Sequence, residues 1–295
     1  MLRESRTVLR ALWAASRPAQ LLLVLGVYLL GVKAADALGG TVDAAGVAAG
    51  AAALLPVAVS IHYANEYADH ETDALTERTP FSGGSGALQA SGLDRSVLLR
   101  AGAACLFAGS ALAAGLVATG LLDGLALALI AVVAAFGWQY SVGPLRLAWR
   151  GLGELDNAAL GGLALPAYGA AAIGGPTGRV ALVSVPFFLV VLLNLFATQW
   201  PDREADAAVG KRTLAVRWPR RRLRAAYTLV GVAAAGSLLA LHPDPLPTPV
   251  ALGSLVAVPP LVVGWAGYTR RRVPWPTVTG MVALAAGQFA GWCLV

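Results

Sequence analysis

Apolar runs close to twenty residues long follow one another along the chain, at 19–38, 44–65, 96–118, 121–140, 156–174, 180–200, 223–241, 248–267 and 275–294. About twenty apolar residues in a helix are enough to cross the hydrocarbon of a bilayer. Inside lipid, backbone groups must find partners within their own segment, so such runs are expected as helices. The expected fold is therefore all-α: a polytopic membrane protein of nine transmembrane helices around a central cavity. It forms one domain over residues 1–295, with 1–18 as a cytoplasmic N-terminal segment. A chain that is 57% hydrophobic and 13% charged, with mean hydropathy +0.67, is not an ordinary soluble globule. Residues 1–18 carry four arginines and no small-residue cleavage site after a short apolar core, which excludes a signal-peptide reading.

Basic residues set the expected orientation. The N-terminus and the connections after the second, fourth, sixth and eighth runs hold nineteen of the 22 Lys+Arg, while the opposite connections hold only Arg179. By the positive-inside rule the N-terminus is cytoplasmic and the C-terminus outside, in the cell membrane. The net charge of +6 then reports topology and suits anionic headgroups at the inner face. No basic stretch is interleaved with the aromatics that nucleic-acid strands require, so no nucleic-acid partner is expected. Cys105 and Cys293 both fall in apolar runs and indicate neither a disulfide framework nor a thiolate metal site.

Against this background one stretch stands out, "NEYADHETDALTERTPFSGGSG" from Asn65 to Gly86. It places Asn65, Asp69 and Asp73 four apart. A second stretch, "PDREADAAVGKRTLAVRWPRRR" from Pro201 to Arg222, places Asp202 and Asp206 four apart, then Gly210, Lys211 and Arg212. Spacing by four stacks side chains on one helical face, where carboxylates repel unless hydrated or neutralised by a cation. An oxygen-only set of Asp and Asn suits Mg²⁺, which keeps its waters and bridges one or two carboxylates to substrate phosphates. Asn65, Asp69, Asp73, Asp202 and Asp206 are the candidate metal-binding residues, clamping a diphosphate between two opposed faces. Gly83, Gly84 and Gly86 can offer N–H groups to phosphate oxygens, with Arg78, Lys211 and Arg212 as cationic donors. Both stretches follow an even-numbered run and share a side, and their separation of 133 residues is compatible with a weak duplication of two four-helix units plus one.

These motifs and their placement after the second and sixth runs resemble the UbiA superfamily of intramembrane prenyltransferases. Asn65, Asp69 and Asp73 match its first motif residue by residue, and Asp202 and Asp206 match its second. The resemblance implies Mg²⁺-dependent ionisation of a polyprenyl diphosphate and transfer of the prenyl group to an acceptor, usually an aromatic ring. It makes Asp69, Asp73, Asp202 and Asp206 catalytic. Tyr140 opens a loop similar to the family's tyrosine-led connection, and Tyr67, Phe136, Trp138 and Phe196 are further candidates to steady an allylic cation. Arg17, in an Arg-Pro that opens the first run as in family members, and Arg146 join the diphosphate-binding set. The Gly-Leu-Gly-Glu of 151–154 and "GKRTLAV" of 210–216 are similar to the menaquinone-branch members, which prenylate 1,4-dihydroxy-2-naphthoate. Glu154, placed in a short exposed loop, is either a solvated surface acid or the group that orients the acceptor or takes its proton. Thr198 stands where the branch often has Asn, and the strict spacing through Asp73 is closer to 4-hydroxybenzoate and archaeal ether-lipid members.

Two other classes compete. A CDP-alcohol phosphotransferase would cluster its acids once, whereas here they fall in two separated sets. A transporter would favour acids at the midplane of broken helices, whereas here they lie at one face. Within the runs, Lys33 and Asp36 are close enough to pair, His62 is a satisfied core histidine bordering the site, and Gln288 is a bonder between helices.

Overall fold

The computed structural model describes residues 2–79 and 83–295, with the side chains of 2–4 left aside. Positions 80–82, within the first acidic stretch, lie outside the described residues. The chain runs α1 (Leu2–Ala15), α2 (Pro18–Ala37), α3 (Ala44–Ala68), α4 (His70–Leu75), α5 (Ala87–Ser91), α6 (Ser96–Ala118) and α7 (Gly124–Ser141). It continues through α8 (Gly153–Ala159), α9 (Leu165–Ala171), α10 (Thr177–Val183), α11 (Val185–Gln199), α12 (Arg203–Ala208) and α13 (Leu214–Arg217). Last come α14 (Arg220–Leu241), α15 (Thr248–Ser254), α16 (Val258–Gly267) and α17 (Trp275–Trp292).

Every apolar run is helical, but not every one is a plain rod. Six helices are long and apolar enough to cross a membrane: α2, α3, α6, α7, α14, and α15 with α16. The pair α10–α11, bent by 52°, makes a seventh. Length and apolarity thus support six or seven crossings where the hydropathy reading counts nine. The other two runs differ for local reasons. A π-turn at Leu160–Ala164 divides the 153–171 helix. Helix α17 carries Trp275, Pro276, Thr277, Thr279 and Gln288 among its apolar residues.

These two helices pack closely through small residues. A Cβ on Gly287 would stand 2.0 Å from the Gly253 carbonyl oxygen, and one on Gly31 would stand 2.0 Å from that of Pro166. Glycine lets α17 approach α15, and α2 approach α9, closely enough for dispersion contact without a hydrophobic driving force. Core polar groups are satisfied across helices: Tyr28 donates to the Val47 carbonyl at 2.8 Å and Tyr168 to that of Gly50 at 2.9 Å. Gln288 donates to Ser254 Oγ at 3.3 Å, and Lys33 pairs with Asp36 at 2.6 Å, both as expected. Exposed Phe107, Leu229 and Leu239 mark the lipid-facing perimeter.

Helix starts follow the side chains available. Asp43 accepts from the Ala45 and Gly46 N–H groups to cap α3, and Asp123 accepts from Ala126 N–H to cap α7. Helix α3 ends at Asp69, whose N–H still reaches the Asn65 carbonyl at 2.9 Å, and α4 restarts at His70. The first acidic ladder is therefore broken at its middle rung, not stacked on one straight helix. The second sits on the short helix α12, with Asp202 as its N-cap.

Candidate active site

The two acidic arms meet. Helices α4 and α12, 133 residues apart in their leading aspartates, pack against each other at one end of the bundle. Lys211 lies between them: its Nζ donates to Asp69 Oδ1 at 2.8 Å and stands 3.6 Å from Asp206 Oδ1. All three side chains are nearly closed to solvent, at 9% for Lys211, 14% for Asp69 and 3% for Asp206. The tight turn at Gly210, φ +80°, lets Lys211 double back over its own helix, with its N–H bonded to the Asp206 carbonyl at 2.9 Å.

Charge is short of balance here, and the carboxyl groups register it. Burial, reinforced by Asp69 and Glu66, pushes Asp73 up to about 7. Burial likewise pushes Asp206 up to about 6, against the pull of Lys211. Burial alone would lower the Lys211 ammonium, but Asp69 and Asp206 outweigh it and its pKa is raised. Asp206 Oδ1 has no hydrogen-bond partner among the described residues.

The first arm is tied down by Glu66. This residue, at 3% exposure, accepts from Arg17 Nε at 2.7 Å, from Ser85 N–H at 2.8 Å and from Ser85 Oγ at 2.6 Å. It pins the glycine loop and the α1–α2 junction to the end of α3. Arg17, expected at the diphosphate, has its guanidinium engaged with Glu66. Its positive φ of 52° allows the turn between α1 and α2 that brings it there. Gly84, at φ +65°, passes so close to Asp73 that a Cβ would lie 2.0 Å from its carboxylate. Arg78 donates from Nε to the Gly84 carbonyl at 3.3 Å and is otherwise exposed. Asn65 donates to Ser141 Oγ at 3.2 Å, joining α3 to α7. His62 is bonded to the Ser16 carbonyl at 2.7 Å, a satisfied histidine beside the site.

The second arm is closed by Glu154. Expected in an exposed loop, it is 1% exposed and accepts from Leu214 N–H at 2.6 Å. Its Oε2 has no partner among the described residues, and burial raises its pKa against that N–H bond. The reason for the difference is that residues 153–159 are already helical, and α13 folds over them. Tyr140 lies within electrostatic range of Lys211, Asp69, Glu154 and Asp206. Arg146 and Arg212 are elsewhere: both are exposed, with Arg146 stacked on the Trp149 ring at 5.7 Å. Glu66 is the member that motif spacing did not single out. Its signal was its place beside Asn65 in the same acidic stretch, one step off the four-residue ladder.

Among the described residues no three carboxylate, imidazole or thiol groups converge to hold a metal by themselves. The donor set still fits Mg²⁺, which needs only one or two carboxylates from each side beside water and substrate oxygens. The buried Asp206 oxygen without a hydrogen bond, and two carboxyl groups raised by crowding, are the features a divalent cation would relieve.

The fold is thus a helical membrane bundle whose two acidic arms close on a buried lysine at one end. The profile of the UbiA prenyltransferase family matches residues 24–272, and the chain belongs to that family. Among solved structures, a UbiA homologue from Archaeoglobus fulgidus bound to DMAPP and Mg²⁺ superposes with TM-score 0.71 at 16% identity, covering 96% of this chain and 99% of that one. An apo UbiA homologue from Aeropyrum pernix K1 gives 0.70 at 19% identity over 92% and 97%. A structure of digeranylgeranylglyceryl phosphate synthase gives 0.69 at 13% identity over 98% and 99%. No curated protein matches the sequence.

Proposed function

We propose that the protein transfers a polyprenyl group from a polyprenyl diphosphate to a small aromatic acceptor in an Mg²⁺-dependent reaction, and that the acceptor is 1,4-dihydroxy-2-naphthoate. The observation that carries the reaction is Lys211 held between Asp69 and Asp206, one carboxylate from each arm. Mg²⁺, held by Asp69, Asp73, Asp202 and Asp206 with Asn65, would supply the positive charge that makes diphosphate a leaving group. Lys211 binds the diphosphate from between the arms, and Arg78 with the N–H groups of Gly83, Gly84 and Gly86 closes over it. These donors are fixed before reaction, so they stabilise the oxygen on which charge develops as the C–O bond breaks. The surrounding helices keep water from the allylic cation, and the Tyr140 ring faces it. The acceptor ring carbon then bonds to the prenyl carbon and loses its proton to the buried Oε2 of Glu154, which has no partner among the described residues.

The choice of acceptor is supported by one contact. The two stretches that resemble the menaquinone branch, 151–154 and 210–216, are joined by the hydrogen bond from Leu214 N–H to Glu154. The enzyme is placed in the cell membrane with the site and the N-terminus at the cytoplasmic face, from the distribution of basic residues. The test is incubation of the purified protein with Mg²⁺, geranylgeranyl diphosphate and dihydroxynaphthoate, 4-hydroxybenzoate or a glycerol-phosphate ether lipid, read by mass spectrometry. A prenylated naphthoate is expected. Product from another acceptor alone replaces the acceptor assignment, and Asp69→Ala or Asp202→Ala at the normal rate overturns the site.

A further inference from the structure

Helix α12 has two sides with different neighbours. Asp206 turns to Lys211 and the first arm, while Arg203, Glu204 and Ala207 line a cavity of about 320 Å³ behind it. Trp200, at the end of α11, residues of α13, and Trp218, Pro219 and Arg220, leading into α14, form the other walls. The cleft is built around one indole. The Arg203 guanidinium lies over the Trp200 ring at 3.9 Å and that of Arg220 over the same ring at 5.4 Å. Arg222 lies over Trp218 at 4.3 Å. Aromatic faces hold these cations in place without neutralising them.

The charge is unbalanced. Glu204 is the cleft's one carboxylate, and it is shared, at 2.5 Å from Arg203 and 2.7 Å from Arg272. Arg220 has no carboxylate or carbonyl acceptor among the described residues. Burial and the neighbouring charges of Arg272 and Arg220 lower the Arg203 pKa, against the pull of Glu204. Arg203 gives Nη1 to the Trp200 carbonyl at 2.8 Å and Nη2 to Glu204. Arg220 is therefore the guanidinium that offers a phosphate its paired N–H donors while Arg203 adds charge, and tryptophans sit at headgroup level in a membrane.

We propose that this cleft is a binding site for a phosphate-bearing anion, the headgroup of an acidic phospholipid, on the face of α12 opposite the reaction. The site is independent of the catalytic reading, since it shares none of the aspartates and does not involve Lys211.

Native mass spectrometry of the full chain tests it, with phosphatidylglycerol, phosphatidylcholine or inorganic phosphate added separately. Phosphatidylglycerol is retained, and Arg220→Gln weakens retention about fivefold, as does Arg203→Gln. Arg221→Gln and Arg271→Gln, exposed arginines outside the cleft, leave retention unchanged. Arg220 touches the fold through the Trp200 ring and makes no hydrogen bond or ion pair among the described residues, so its loss moves the thermal midpoint in neutral detergent by less than the loss of Arg203 does. Inorganic phosphate that displaces the lipid supports the phosphate site and makes the free anion a competing occupant. Retention of phosphatidylcholine as strong as phosphatidylglycerol, or equal weakening in the Arg221 and Arg271 variants, overturns the proposal.

Discussion

In the arm of residues 65–86, the acid beside the ladder is gripped from outside, by Arg17 at the mouth of α2 and by Ser85 across the glycine loop. In the arm of residues 202–217, the grip comes from within, because Lys211 turns back on Asp206 and Thr213 donates to it at 3.4 Å. The exposures follow. Asp206, Lys211 and Thr213 are buried, while Glu71 and Glu77 of the first arm reach solvent. The second arm is held by its own residues; the first is held by a clamp from other segments. Among the described residues Lys211 is the side chain that ion-pairs with both.

The largest effect is therefore expected at Lys211. Lys211→Gln removes the charge that Asp69 and Asp206 share and a donor aimed at the diphosphate. A loss of about 10²–10³ in kcat is expected, the magnitude for one preorganised donor. Steady-state rates with saturating Mg²⁺ check this, and a variant within tenfold of the parent would make Lys211 merely structural. Next comes the clamp. Arg17→Gln leaves Glu66 buried with its cationic partner gone, and a loss of about 3 kcal/mol in stability is expected. The double variant Arg17→Gln with Glu66→Gln should recover part of it, as a thermal melt in detergent would show. If the single change is silent, the first arm does not depend on its clamp.

The raised carboxyl groups give a pH test that separates the arms less sharply. Asp73 at about 7 and Asp206 at about 6 both lie above the ordinary carboxylate value. Between that value and their own, the folded chain binds more protons than the unfolded one. In the metal-free protein their contribution is thus favourable at low pH and is lost as pH rises from about 4 through 7. The expected slope is below about 1.4 kcal/mol per pH unit for each group. Asp73→Asn should flatten its share in melts run with a chelator, and a midpoint rising with pH over that range would contradict it. Smaller again is Gly84→Ala. The added Cβ collides with Asp73 and the positive φ opposes any side chain, at a cost of about 1–2 kcal/mol. Activity should fall with it, because the loop cannot shift without moving Asp73.

Much of this was legible in the chain. Hydropathy placed a helix at every apolar run, and the two segments singled out by the spacing of Asp69, Asp73, Asp202 and Asp206 pack against each other. What failed to show was whatever depends on a partner distant in sequence. Glu66 looks like one more surface acid until Arg17 and Ser85 arrive from 49 and 19 residues away. Glu154 looks like a loop residue until α13, 60 residues later, brings down the Leu214 N–H. The break at Asp69 escapes period counting because a helix that ends and restarts keeps its i, i+4 hydrogen bonds on both sides. The π-turn at 160–164 and the glycine contacts of α17 are packing solutions, and packing has no local periodic signature.

The smallest effect concerns two neighbours in sequence. Lys211 and Arg212 both follow Gly210, and both are cationic donors that a diphosphate could use. The fold separates them. Lys211 turns inward and is buried, whereas Arg212 stays at the surface and contributes its backbone N–H to the Trp149 carbonyl at 3.3 Å. A surface charge near a charged substrate acts through water and salt, so its contribution is about 0.2–1 kcal/mol, or less than about fivefold. Arg212→Gln is therefore expected to raise KM slightly and leave kcat alone, with an effect that fades as salt is raised. Arg146→Gln, on the same exposed surface, should behave alike. A large, salt-insensitive loss of kcat in Arg212→Gln would show that the loop of 210–213 turns over on substrate binding, and that the second arm is not held by its own residues alone.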